Sequence, residues 1–286
     1  MWVALGINLA MFVAEAVGGL LTGSLAVLAD AGHLLSDVGA IGLALFAAAL
    51  AARPAGGRMT FGYQRSEILA ALVNGLLLVV VAVAVGVAAI GRLGDPPSID
   101  GAGVLGLGLL GLAGNVAATV VLARGEREDV NLEGVLRHSA ADALGSLGVV
   151  LAGAFVLLGG SPIVDPLVGL AIAVLILLSS WRLIAEPVGV LMEAAPAGVD
   201  VEEAGAAICA EEGVSSVHDL HIWTVTSGFG ALAAHVVVSP ACDRDLVRRR
   251  IELLLHERFG IDHTTLQMEE QVPEALLRVE NAPPRA

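Results

Sequence analysis

The sequence contains no lysine. Its positive charge comes from 15 Arg against 29 Asp and Glu, a net of −14. No basic surface is available to neutralise phosphates, which excludes nucleic acid as a partner. Cysteine is scarce: Cys209 and Cys242 form no CxxC pair, so a disulfide framework is excluded and reduced, cytosolic thiols are expected. Charged residues are only 15% and aromatics 3%, whereas a soluble domain carries about 25% charge. With 56% hydrophobic residues and a mean hydropathy of +0.83, the composition excludes a disordered chain and an ordinary soluble enzyme, and it is that of a bilayer protein.

What is present is unevenly distributed. Residues 1–186 hold 8 Arg and 13 acids; residues 187–286 hold 7 Arg, 16 acids and five of the seven His. An apolar block thus precedes a polar, acidic, His-bearing domain large enough for one small core. We expect a transmembrane domain over 1–186, a cytoplasmic domain over 187–272 and a disordered tail over 273–286. The apolar start, without a basic n-region, reads as a retained span rather than a cleaved signal.

A crossing needs roughly 20 mostly apolar residues. Six stretches qualify: 1–22, 29–52, 66–91, 101–123, 133–158 and 164–185, separated by Gly, Pro and charge. Arg53, Arg58 and Arg65 lie between spans 2 and 3, Arg124 and Arg127 between spans 4 and 5, with Arg137 near, and Arg182 ends span 6; the opposite loops hold only Arg92. This asymmetry predicts cytoplasmic termini.

Ionisable residues within spans are costly and mark function. Span 2 carries His33-Leu34-Leu35-Ser36-Asp37 and span 5 carries His138-Ser139-Ala140-Ala141-Asp142. Both are HxxxD, and the i, i+4 spacing puts each His and Asp on one helix face. If the two helices touch, two imidazoles and two carboxylates converge. That set suits a tetrahedral divalent transition metal, two anions offsetting its charge, while imidazole disfavours calcium and magnesium. A polar packing contact explains one such pair better than two. Glu15, Asp30, Asn8, Asn74 and Asn115 fit either a pathway lining or helix-packing hydrogen bonds. Four protein ligands close the shell, and no HExxH occurs, so a membrane metalloenzyme is disfavoured and a carrier favoured. His and Asp bind metal only when deprotonated, so metal and protons compete, a ready basis for exchange.

From about 187 the pattern predicts a helix over 199–212, strands over 215–226 and 231–238, a helix over 243–258 and a strand over 263–269. This αββαβ order implies a two-layer α+β domain with both helices on one sheet face.

Six spans, HxxxD in spans 2 and 5, and the phrases SLAVLADAGHLLSD, TFGYQRSEILAALVNG, VHDLHIWTVTSG and DHTTLQME resemble the cation diffusion facilitators, the zinc transporter superfamily, in their cadmium–zinc–cobalt efflux branch. The resemblance implies a ferredoxin-like cytoplasmic domain and a membrane homodimer exporting divalent metal against protons by alternating access. It implies a transport site of His33, Asp37, His138 and Asp142, with His at position 33 fitting zinc and with cobalt or cadmium as companions. It implies a cytoplasmic site of His218, His235 and Glu269, where zinc would be a regulatory ligand. The last strand, which commonly supplies a fourth ligand, reads Gln267 at that place, and His263 is near enough in sequence to substitute. It further implies an Arg65–Glu193 pair locking the dimer. His221 reads as strand packing beside Trp223, and His256 as part of a solvated helix face with Arg248 to Arg250. With Tyr63 where some members carry His, no metal is expected in the loop between spans 2 and 3. The loop before span 5 has no His; its Glu126, Glu128 and Asp129 read as solvated. The competing class is a membrane metal sensor that binds without transport.

Overall fold

The computed structural model describes the backbone of residues 2–124 and 132–270, and side chains for 5–117, 120 and 142–270. The loop acids Glu126, Glu128 and Asp129 and the tail over 273–286 lie outside the described residues. The chain divides into two compact units, residues 1–187 and 188–286.

The first unit begins with α1 (Trp2–Thr22), α2 (Leu25–Ala51), α3 (Ser66–Arg92), α4 (Gly101–Arg124), α5 (Leu132–Leu157) and α6 (Val164–Leu191). Among the described residues α1, α2, α3 and α6 are each long and apolar enough to cross a bilayer, and α4 and α5 contribute the apolar stretches Gly101–Ala117 and Asp142–Leu157. Many large apolar side chains point outward, among them Leu20, Phe46, Val80 and Leu178. That is the arrangement of helices whose solvent is lipid. The packed core joins Leu25 and Val27 of α2, Leu78 and Ala82 of α3, Val104 of α4, Val149 of α5 and Ile172 of α6.

Two details shape this core. α4 and α5 approach closely because glycine lies between them: a Cβ on Gly101 or Gly108 would sit 2.7 Å from Leu157 N or 2.8 Å from Val150 N. The second detail is a remote cap. Asp165, 1% exposed at the start of α6, accepts Ser24 Oγ at 2.5 Å, Leu25 N at 2.7 Å and Ala26 N at 3.3 Å. Ser24 Oγ in turn accepts from Val27 N. These bonds satisfy N-terminal donors of α2 that would otherwise be stranded in a dry setting. α2 therefore begins at Leu25, four residues before the predicted span. α6 likewise runs past the expected end at 185, carrying Pro187 inside the helix.

The second unit contains α7 (Val201–Cys209), β1 (Val214–Thr226), β2 (Phe229–Val238), α8 (Arg244–Phe259) and β3 (His263–Glu270). The αββαβ order matches the expectation. Asp200 and Asp243 cap α7 and α8 through their carboxylates, and Gly260 ends α8 in the left-handed conformation, φ 65°. The sheet order is β1-β2-β3, with β1 antiparallel and β3 parallel to β2. Alternation along β2 turns Leu232, Ala234, Val236 and Val238 toward Ile208 of α7 and Val247, Ile251 and Leu255 of α8. Both helices thus cover one sheet face, and His235 falls on the other.

Candidate metal centre

The i, i+4 spacing on α2 brings His33 Nε2 to 3.9 Å from Asp37 Oδ2. α5 delivers Asp142, whose Oδ1 lies 2.7 Å from the same nitrogen. The three side chains are 14%, 19% and 12% exposed, and their ligand atoms lie within 4.8 Å of one another. One imidazole and two carboxylates therefore face a common point between two helices of an apolar bundle. His138 stands four residues before Asp142 on α5, on the same helical face; its side chain lies outside the described residues. The chemistry available is tetrahedral coordination by nitrogen and oxygen, with charge nearly balanced around a divalent ion.

The site is buttressed. Ser36 Oγ donates to Asn74 Oδ1 at 3.1 Å, tying α2 to α3 beside Asp37. Asp30, one turn before His33, accepts Ser146 Oγ at 3.0 Å, and Ser146 accepts Asn115 Nδ2 at 3.1 Å, linking α2, α5 and α4.

The cytoplasmic candidates separate. His218 and His235 are direct partners across β1 and β2, with ring centroids 5.0 Å apart. Glu269 of β3 reaches both: Oε2 lies 3.1 Å from His218 Nε2 and Oε1 lies 2.8 Å from His235 Nδ1. Gln267 Nε2 donates to Glu269 Oε1 at 2.8 Å, orienting the carboxylate rather than adding a ligand nitrogen. The hydrogen bonds from His235, His218 and Gln267 hold the Glu269 carboxyl below its ordinary range.

The expectation that His263 joins this set needs correction. In the parallel register His263 opposes Ala231, whereas His235 opposes Gln267. Four residues along a strand is about 13 Å, and the His263 ring instead sits edge-on to Phe229, centroids 5.6 Å apart. His221 also departs from its reading as strand packing. It is exposed, with Nε2 3.0 Å from Asp219 Oδ1.

Asp219 is a neighbour of the cluster that the sequence pattern did not single out. It occupies an irregularity of β1 between His218 and His221, with φ 51°, and its Oδ2 lies 3.8 Å from His235 Nε2. An Asp tolerates the left-handed region, and the adjacency His218-Asp219 is its only signal in the chain. His256 is exposed, as expected, 2.5 Å from Asp262 Oδ1 through Nδ1. Arg65 immediately precedes α3 in the first unit; Glu193 follows α6 in the second, with φ 62°.

Residues 1–192 match the cation efflux transmembrane domain and residues 196–271 match the cytoplasmic domain of cation efflux proteins. The chain belongs to the cation efflux family. Within this family it is 38% identical to the cadmium, cobalt and zinc/H(+)-K(+) antiporter of Bacillus velezensis over 90% of this chain and 83% of that one. It is 38% identical to the metal cation efflux system protein CzcD of Cupriavidus metallidurans over 93% of this chain and 85% of that one. It is 36% identical to the zinc transporter ZitB of Escherichia coli over 94% and 86% respectively. This cation efflux family member is accordingly a multi-pass membrane protein with a small α+β domain after its helices.

Proposed function

We propose that this family member exports divalent transition metal from the cytoplasm, zinc foremost, with cobalt or cadmium as companions, in exchange for protons by alternating access. The observation carrying this reading is the meeting of His33, Asp37 and Asp142 between α2 and α5. A sensor has no need to bury ligands in the middle of spanning helices, where each ionisable group is costly. His138 completes the tetrahedron from the same face of α5 as Asp142. The relatives' names, which state efflux and antiport of these metals, agree with that chemistry.

In this reading the protein works as a homodimer in the cell membrane with both termini cytoplasmic, following the Arg distribution. Arg65 and Glu193 form the charge pair that locks the dimer. His218, His235 and Glu269 hold a second, regulatory zinc on the sheet face that α7 and α8 leave bare. Two imidazoles and a carboxylate within 4.8 Å of one another fit such an ion.

The deciding experiment is metal flux into proteoliposomes under an imposed proton gradient, comparing zinc, cobalt, cadmium and manganese, with Asp37→Ala as control. Gradient-dependent zinc flux that the variant loses supports the antiporter. No flux for any metal, with binding intact, overturns it in favour of a sensor centred on the cytoplasmic cluster.

A further inference from the structure

A second group of acids lies deeper in the bundle. Glu15 of α1 is 2% exposed, and among the described residues no donor reaches Oε1 or Oε2. Asp30 of α2 is 5% exposed and accepts only Ser146 Oγ among the hydrogen bonds described for it. The two carboxyls face one small space. The point where a Cβ on Gly111 would sit lies 2.6 Å from Glu15 Oε1, 3.3 Å from Ser146 Oγ and 3.6 Å from Asp30 Oδ2. Glycine at 111 of α4 is what leaves room for them.

We propose that Glu15 and Asp30 together hold one exchangeable proton, at a site separate from the metal ligands, and that this proton is exchanged against the metal. The inference rests on the proton-coupled reading above. The physical reason is charge. Two carboxylates in a dry setting, with Asp37 and Asp142 adding negative charge and His33 the one basic group near them among the described residues, cannot both stay ionised. Among the described residues, the groups around the Glu15 carboxyl are Asp30 of α2, Gly111 of α4 and Ser146 of α5, with His33 a turn beyond Asp30 and Asp142 a turn before Ser146. No Arg is among these described groups. Beyond the carboxyl oxygens themselves, the described neighbours add one hydroxyl and one amide, Ser146 and Asn115. A proton needs only one oxygen lone pair. It forms an O–H bond on Glu15 and is shared toward Asp30.

Coupling to the metal follows from placement. Asp30 precedes His33 by three residues, one turn along the same helical face. A divalent ion held at His33 repels a proton on the pair through low-dielectric protein. Metal loading therefore expels the proton, and metal release readmits it. The oxygen pair is thus a counter-ion site built from residues that coordinate no metal.

The test uses the full chain, purified and then reconstituted. Protons released per zinc bound are counted in weakly buffered solution, and zinc flux is followed across an imposed pH gradient. Glu15→Gln, which mimics the protonated acid, is expected to bind zinc and release about one proton fewer per ion, with loss of the flux response to the gradient. Asp30→Asn should behave likewise. Infrared difference spectra of the wild type, which need no variant to fold, should lose a protonated-carboxyl band when zinc is added. Wild-type proton counts and gradient response in Glu15→Gln, or no band lost in the wild type, overturn the proposal. A proton count unchanged by the variant, with flux that now loses a dependence on luminal potassium, assigns the pair to potassium and also overturns it. Wild-type flux indifferent to any pH gradient overturns the antiport reading instead, and the proton count in solution still tests the pair.

Discussion

His33 of α2 and Asp142 of α5 meet at 2.7 Å across 109 residues of chain. Each supplies a ligand that its own helix cannot complete, so metal held here would couple two helices rather than decorate one. Asp142→Ala should abolish zinc flux and cellular metal resistance while leaving metal binding by the cytoplasmic domain unchanged. Metal resistance at the wild-type level would remove Asp142 from the transport site.

Arg65 and Glu193 carry a different expectation. If they lock the dimer, Arg65→Ala keeps zinc binding at the helix pair but loses transport. Binding by calorimetry and flux in vesicles would be compared on one preparation. Unchanged transport would sink the pair.

The cytoplasmic cluster separates ligand from support. Glu269→Gln should abolish zinc binding by the second unit. Gln267→Ala, which removes only the donor orienting Glu269 at 2.8 Å, should weaken it by about 10–100-fold. His263→Ala should leave it unaltered, and a large loss there would contradict the strand register. Calorimetric titration of each variant with zinc separates the three.

Acid acts on this cluster in a stated order. Glu269 is held below its ordinary range by hydrogen bonds from His235, His218 and Gln267. A lowered folded value means the stabilisation is present above the unfolded value, about 4.3, and is lost as pH falls through the folded one. Glu269 thus stays a charged ligand through mild acid. Ionisation of Glu269 therefore sets no loss of zinc in mild acid, and zinc titrations of Glu269→Asp and wild type at stepped pH should lose metal over the same interval.

Asp165 holds the start of α2 through Ser24, Leu25 and Ala26. Asp165→Asn keeps the size but discards the charge-assisted acceptor, at a cost of about 1–2 kcal/mol. Thermal unfolding in detergent should show a lowered midpoint, and zinc affinity should fall less than in Asp37→Ala. An unchanged midpoint would show the cap to be dispensable.

Features that depend on neighbours in sequence are legible in the chain itself. Six helices follow from apolar runs of bilayer length. The helical period alone puts His33 with Asp37, and His138 with Asp142. The αββαβ order follows from alternation and turn residues. Strand register is not legible there, because it depends on which residues of distant strands face each other. Register admits Glu269 to His218 and His235, removes His263, and turns Gln267 into a support for Glu269. Asp165 capping α2 and Glu15 facing Asp30 across Gly111 are equally hidden. These contacts join helices that sequence spacing cannot bring together. Which buried acids share a space is decided by packing, through glycine positions and helix approach. Which residues could bind a metal is written in the chain; which of them meet is settled by packing and register.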